Sequence, residues 1–210
     1  MKENLTEIVF IIDRSGSMHS LAADTVGGFN AMLEKQKKEE GEAFVSTILF
    51  SDESEVLHDR LPIEKVSAMT DTDYEPCGCT ALLDAIGGAM KHIGNIHKYA
   101  RPEDVPAKTL FIITTDGMEN ASHTYTADAV KQEIERRQKE DGWEFIFLAA
   151  NIDAVETAGG LGIRANRAVE YRFDCAGVAE NYSMMADAIS SVRRRENLDK
   201  SDWRRKKDKK

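Results

Sequence analysis

The chain has 210 residues, of which 41% are hydrophobic and 31% are charged. This size and balance fit one globular domain with a substantial core, and they exclude a disordered or collagen-like chain. The longest uninterrupted apolar stretch, residues 145–150, is far shorter than the roughly 20 residues of a membrane span. The first residues lack the apolar region of a signal peptide, so we expect a cytoplasmic protein that does not contact a membrane.

The predicted elements alternate between strands and helices. In chain order they are a strand over residues 5–12, a helix over 21–33, strands over 44–50 and 54–61, a helix over 80–96, a strand over 110–113, a helix over 126–138, a strand over 143–150, a short helix after 153, a strand over 168–173 and a helix over 178–192. Short, almost entirely apolar strands between amphipathic helices are typical of a parallel sheet covered on both faces. Only a short turn separates the second and third strands, which predicts an antiparallel pair. We therefore predict a doubly wound α/β fold: a mostly parallel six-stranded sheet with one antiparallel edge strand and helices on both faces.

Charge is distributed unevenly along the chain, whose net charge is −9. Residues 193–210 carry ten Lys or Arg against four Asp or Glu, a charge of +6, so residues 1–192 sum to −15. We predict a domain over residues 1–192 and a basic C-terminal tail over residues 193–210. The acidic domain repels nucleic acid, and only the tail offers a surface for phosphates or an acidic partner.

The chain has three cysteines, Cys77, Cys79 and Cys175. An odd and small number does not make a disulfide framework. The single residue between Cys77 and Cys79 also differs from the two residues found in zinc knuckles and thioredoxin-like redox sites. The sequence therefore predicts free thiols in a reducing compartment.

Asp13 and Asp116 are candidate metal ligands at the ends of two predicted strands. Asp13 is followed by Ser15 and Ser17, and Asp116 follows the fourth strand. In doubly wound sheets, ligands bind beyond the carboxyl ends of the strands, where the strand order reverses. If the first and fourth strands are neighbours there, the two carboxylates repel each other, and a hard divalent cation relieves that repulsion. The sequence thus predicts a Mg²⁺ or Mn²⁺ site to which Ser15 and Ser17 contribute hydroxyls.

Three segments, in this order and spacing, resemble a known family. They are Asp13-x-Ser15-x-Ser17, Thr80 at the start of a predicted helix, and Thr115-Asp116-Gly117 after a strand. Over about residues 5–192 the chain resembles a von Willebrand factor A-type (vWA) domain of the intracellular bacterial kind. The resemblance implies a Rossmann-like fold with a metal-ion-dependent adhesion site (MIDAS), whose ligands would be Asp13, Ser15, Ser17, Thr80 and Asp116. Cys79 stands where the family has the second glycine of a Gly-Gly-Thr segment.

The resemblance also implies what the site does. It indicates a non-catalytic protein-binding module, in which the metal has no directly bound protein carboxylate and accepts an Asp or Glu side chain from a partner protein. Mg²⁺ or Mn²⁺ is favoured over Ca²⁺, which is larger and less demanding of octahedral geometry. Intracellular members often work in multiprotein assemblies beside ATPases of the AAA+ type, and that partner class is an analogy from the fold.

Two other classes of function stay open on the sequence. A Mg²⁺-dependent phosphatase or phosphotransferase also has an Asp after its first strand. However, Ser15 stands where the haloacid-dehalogenase pattern has its second Asp, and no other nucleophile motif occurs. A nucleic-acid-associated protein would act through the basic tail, with an affinity that salt weakens. We favour the binding module.

Several residues near the predicted site are assigned structural roles. Thr80 is expected to cap the helix that follows it while also reaching the metal. Asp52, Glu119 and Asn120 are expected to be solvated loop residues. His19 is expected to be a surface residue, because hard cations prefer oxygen ligands.

Overall fold

The computed structural model describes residues 1–204 of the chain. Within that range the strands are β1 (Lys2–Asp13), β2 (Glu42–Phe50), β3 (Ser54–Pro62), β4 (Pro106–Thr115), β5 (Glu144–Ala149) and β6 (Ala168–Glu170). The α-helices are α1 (Ala22–Gln36), α2 (Leu82–Tyr99), α3 (Ala127–Glu140), α4 (Ala154–Gly160) and α5 (Cys175–Arg193). A 3-10 helix over Gly16–Leu21 connects β1 to α1. The predicted order of strands and helices is confirmed.

The strands form one sheet in the order β3-β2-β1-β4-β5-β6. Neighbouring strands are parallel except β2 and β3, which are antiparallel. The chain builds outward from β1 to β3 and then returns to add β4 on the other side of β1. The predicted fold class is therefore confirmed. The strand order reverses between β1 and β4, whose carboxyl ends lie side by side.

Both faces of the sheet are covered because its central strands are apolar throughout. Successive side chains of a strand point to opposite faces. Along β1, Ile8 and Phe10 belong to a core completed by α1 and α5, whereas Val9 and Ile11 belong to a second core completed by α2 and α3. Within residues 1–204, no helix combines the length and the apolar character needed to cross a bilayer.

The sixth strand is shorter than predicted. It pairs with β5 only through Ala168–Glu170. The chain then turns: the backbone N–H of Asp174 donates to the carbonyl of Arg172 at 2.9 Å, and the Asp174 side chain accepts the N–H of Gly177 to cap α5. This turn ends the strand at Glu170, three residues before the end of the predicted strand at residue 173.

The packed structure extends past the domain boundary predicted at residue 192. Leu198 and Trp203 are 4% and 3% exposed and belong to the core completed by α1 and α5. Between them, the Asp199 carboxylate accepts a hydrogen bond from the Arg167 guanidinium at 2.7 Å. Residues 193–203 are therefore part of the domain. Residues 205–210 of the predicted basic tail lie outside the described residues.

Candidate metal centre

Asp13, the last residue of β1, is buried and held by three partners. Its Oδ1 accepts the backbone N–H of Ser15 at 2.7 Å, and its Oδ2 accepts the hydroxyl of Thr115 at 2.6 Å. The hydroxyl of Tyr74 donates to the Asp13 carbonyl. Ser15, in the loop after β1 that we call the first loop, and Thr115, the last residue of β4, orient the carboxylate, while Tyr74, in the long loop before α2, holds the main chain.

The serine hydroxyls connect the first loop to the third loop, residues 116–126 between β4 and α3. Ser15 Oγ lies 3.1 Å from Ser17 Oγ, and the Ser17 hydroxyl donates to Asp116 Oδ1 at 2.9 Å. Ser15 is the N-cap of the 3-10 helix over Gly16–Leu21, yet its side chain makes no capping hydrogen bond. Its hydroxyl is therefore directed into the site. Asp13, Ser15, Ser17 and Asp116 form one continuous cluster at the carboxyl edge of β1 and β4.

Asp116 follows β4 and is also buried. Among the described residues, its Oδ2 has no hydrogen-bond partner. Leaving a buried polar atom unsatisfied costs about 1–3 kcal/mol, and more when the group is charged. This oxygen is thus available to a cation or to a water molecule bound to a cation.

Thr80 lies beside the third loop but does not cap α2. It is 4% exposed, and a Cβ built on Gly117 would lie 3.8 Å from its hydroxyl oxygen. The N-cap of α2 is Ala81, and the cap position makes no side-chain hydrogen bond. The predicted capping role of Thr80 is therefore wrong. The physical reason is that the third loop supplies acceptors for the first N–H groups of α2, as argued below.

Burial raises the pKa of both site carboxyl groups above their usual value. For Asp13, hydrogen bonds from Thr115 and Ser15 lower the pKa, and the neighbouring charge of Asp116 raises it, but burial has the larger effect. Burial, and after it the charges of Asp116 and Asp13, also raise the pKa of Tyr171. The cluster is a region of uncompensated negative charge, which favours a cation.

The donor set suits a hard divalent ion. Every candidate ligand atom is a carboxylate or hydroxyl oxygen. Mg²⁺ and Mn²⁺ prefer oxygen ligands, whereas softer ions prefer sulfur or nitrogen. Within residues 1–204, no group of three or more His, Cys, Asp or Glu side chains is placed to hold a metal. A metal at this edge would therefore depend on hydroxyls in addition to Asp13 and Asp116.

The second loop, residues 77–81 just before α2, is tied to the first by its backbone. The N–H of Gly16 donates to the carbonyl of Gly78 at 3.1 Å, and the N–H of Cys77 donates to the carbonyl of Arg14 at 2.9 Å. Gly78 has a φ of +72°, and a Cβ built on it would lie 2.1 Å from an Asp52 carboxylate oxygen. Glycine is favoured here by its left-handed φ, although the cysteine that follows departs from the family pattern.

The three cysteines are free, as predicted, and all are exposed.

Three loop residues near the site, Asp52, Glu119 and Asn120, have a structural role beyond the one expected from sequence, and two others were given no role. Asp52 accepts the Cys79 N–H at 2.9 Å, Asn120 accepts the N–H of Thr80 just before α2, and Glu119 accepts the N–H of Leu83 in its first turn. Asp52 and Asn120 are exposed loop residues, as expected, and Glu119 is half-buried, but all three also accept main-chain hydrogen bonds. Thr115 and Tyr74, which hold Asp13, were given no role. Adjacency to Asp116 was a usable signal for Thr115, but no local pattern indicates Tyr74.

Comparison with known proteins supports the fold. The sequence matches no protein-family model, and it matches no curated protein. Many solved structures match, among them the von Willebrand factor domain of the pilus tip protein Mfa5 from Porphyromonas gingivalis. That domain is 13% identical with a TM-score of 0.58, and the match covers 89% of this chain and 95% of that chain.

Two longer proteins also match. A von Willebrand factor type A protein from Catenulispora acidiphila is 15% identical with a TM-score of 0.55, over 88% of this chain and 42% of that one. Proximal thread matrix protein 1 from the mussel byssus, with a zinc-occupied MIDAS motif, is 12% identical with a TM-score of 0.58. That match covers 90% of this chain and 47% of the mussel protein. The chain thus spans less than half the length of these two proteins.

The strand order, the antiparallel edge strand and these matches show that the chain has the fold of von Willebrand factor A-type domains. The fold predicted from the three sequence segments is confirmed.

Proposed function

We propose that the chain is a non-catalytic protein-binding module that depends on a divalent metal, and that the metal accepts an acidic side chain from a partner protein. The observation that carries this proposal is the pairing of two buried carboxylates with two site-directed serine hydroxyls, one carboxylate oxygen being without a partner. A buried cluster of this kind has little structural benefit without a cation.

The hydrogen bonds support a division of roles among the ligands. Each oxygen of Asp13 already accepts one hydrogen bond, from Ser15 or from Thr115, which favours contact with the metal through water. Ser15 and Ser17 would bind the metal directly, with Thr80 and Asp116 close to it or bridged by water. When bound, the ion supplies positive charge that no protein carboxylate fully cancels. A carboxylate is the protein group best suited to displace one of its waters.

Mg²⁺ or Mn²⁺ is the ion we favour, because the donor set is all oxygen. The zinc-occupied MIDAS motif named for the mussel byssus protein supports a divalent ion at this position of the fold. The family resemblance supports a partner within a multiprotein assembly, such as one built around an AAA+ ATPase.

The contacts of the serines support a binding role over an enzymatic one. Nucleophilic catalysis needs a hydroxyl paired with a base that removes its proton. Ser15 and Ser17 bond to each other and to Asp116, and the described hydrogen bonds give them no histidine base. We therefore propose no phosphatase or phosphotransferase activity.

Affinity capture from native lysate tests the proposal. Wild-type protein in Mg²⁺ should retain a partner that EDTA releases and that the double variant Ser15→Ala/Ser17→Ala does not retain. Ser54→Ala, the same chemical change on the edge strand β3, is the matched control and should behave as wild type. A partner retained equally in EDTA and by the double variant would contradict the metal-dependent module. Phosphomonoester turnover that the double variant loses would contradict it in favour of an enzyme.

A further inference from the structure

The N-terminus of α2 is capped by another loop. The first N–H groups of a helix have no partner inside the helix and must find acceptors elsewhere. Ala81, at the N-cap, has no side-chain acceptor. Instead, the N–H of Leu83 donates to Glu119 Oε2 at 2.9 Å, and the N–H of Asp84 donates to Ser122 Oγ at 3.0 Å. Both acceptors belong to the loop that follows Asp116.

Asn120 makes a reciprocal pair with Thr80. The Thr80 N–H donates to Asn120 Oδ1 at 2.9 Å, and the Asn120 N–H donates to the Thr80 carbonyl at 3.1 Å. The two residues are 40 positions apart in sequence. This pair fixes the backbone of Thr80 from both sides and joins the second loop to the third at the edge of the candidate metal centre.

Glu119 stabilises the same loop from within. Its Oε1 accepts the N–H groups of Ala121 and Ser122 at 2.9 and 2.7 Å, and its Oε2 accepts the Ser122 hydroxyl at 2.8 Å in addition to the N–H of Leu83. One carboxylate therefore holds four donors, three in its own loop and one in α2. The start of α2 and the loop after Asp116 form one unit.

We infer that Asn120 and Glu119 are positioning residues of the metal centre. Glu119 supplies an acceptor to the first turn of α2, and Asn120 holds the main chain of Thr80, so the Thr80 hydroxyl is not used as the helix cap. That hydroxyl then stays beside the loop of Asp116. The inference rests on the proposed function, because it assigns Thr80 to the metal. Partners that orient ligands without touching the metal contribute about 10–100-fold to metal affinity.

Titration of the full chain with Mn²⁺ tests this inference, with the melting temperature of the metal-free protein measured in parallel. Asn120→Ala removes the acceptor for the Thr80 N–H and should weaken Mn²⁺ binding about tenfold. Asn120→Asp keeps an acceptor oxygen in the same place and should retain the wild-type affinity or exceed it. Thr126→Ala is the matched control: it removes the side-chain cap of α3 and should lower the melting temperature by about 2–4 °C without changing Mn²⁺ affinity.

The outcomes separate the inference from the proposed function. Wild-type protein that binds no Mn²⁺ would contradict both. Wild-type binding with an unchanged affinity in Asn120→Ala would overturn the inference alone. Equal losses of affinity in Asn120→Ala and Asn120→Asp would also overturn it, because the acceptor oxygen would then not be what matters. A loss of affinity in Thr126→Ala as large as that in Asn120→Ala would show a general effect of stability instead.

Discussion

Gly78 is the single residue on which the second loop depends most. Its left-handed backbone disfavours any residue with a Cβ, and a Cβ there would lie 2.1 Å from an oxygen of the Asp52 carboxylate, which would have to move away. We expect Gly78→Ala to destabilise the protein by about 1–3 kcal/mol, because it strains the backbone and displaces Asp52. Mn²⁺ affinity should fall as well, since Thr80 is two residues away. Thermal unfolding and a Mn²⁺ titration measure the two effects.

Gly88, in the exposed part of α2, provides the control for this change. A Cβ built there meets nothing within 4 Å. Gly88→Ala should stabilise the protein by about 0.5–1 kcal/mol, because alanine is the better helix former, and should leave Mn²⁺ affinity unchanged. A Gly78→Ala protein as stable as wild type would show that the second loop tolerates a side chain and that our account of it is wrong.

At the scale of the element, the carboxylate of Asp84 in α2 accepts main-chain hydrogen bonds from the third loop and so holds the two together. Burial raises the pKa of Asp84, but N–H groups of His123, Tyr125 and Thr124 outweigh it and hold that pKa below its usual value of 3.8. A carboxyl group with a depressed pKa stabilises the fold above its unfolded pKa, and this contribution is lost as pH falls through its folded pKa.

We therefore expect Asp84→Asn to be about 1–3 kcal/mol less stable than wild type at pH 7, since charged acceptors make stronger hydrogen bonds. The difference should shrink as pH falls below the usual carboxyl value, because the unfolded chain takes up the proton there while folded Asp84, with its lowered pKa, does so only at lower pH. Urea unfolding of both proteins at pH 7 and near pH 3 measures this. A difference that is the same at both values would mean that hydrogen bonding, and not the charge, stabilises the loop.

The elements were predictable from sequence where burial alone decides them. Strands such as β1 and β4 are apolar on both faces, so short apolar runs in the sequence indicate them. Asp13 and Asp116 were proposed as ligands because they lie at the ends of those strands. The start of α2 was misplaced because the acceptors of its first N–H groups, Glu119 and Ser122, lie 36 and 38 residues away in sequence from their donors. A sequence pattern over a few neighbouring residues cannot show a hydrogen bond between distant positions. The role of Tyr74 was not predicted for the same reason, because its partner Asp13 is 61 residues away.

At the scale of the whole molecule, the metal centre should control stability. The metal-free domain buries two neighbouring carboxylates whose charged forms burial disfavours. Binding a cation only in the folded state adds about 2.7 kcal/mol at a concentration one hundred times its Kd. For a domain of this size that corresponds to a rise in melting temperature of about 5–10 °C in Mg²⁺ or Mn²⁺, which EDTA should reverse.

Asp13→Asn is the variant that isolates this effect. It removes one of two repelling charges at nearly constant volume. Its amide oxygen can still accept the Ser15 N–H, and its NH₂ can donate to Thr115, whose hydroxyl has the Gly117 carbonyl as another acceptor, so the metal-free variant should be about as stable as wild type, with no shift on adding metal. Differential scanning calorimetry with and without Mg²⁺ makes the comparison. A wild-type protein whose melting temperature ignores both ions would count against the proposed site, and a metal-free Asp13→Asn protein that unfolds would assign Asp13 a structural role.

The burial of Leu198 and Trp203 has a consequence for how the protein is made. The core under α1 cannot be sealed until a segment some 170 residues later in the chain has packed against it. During synthesis, the face of the sheet that packs against α1 and α5 therefore stays incompletely covered until residue 203 has left the ribosome. That interval, set by translation speed, is when the nascent chain is most exposed to aggregation and to chaperones.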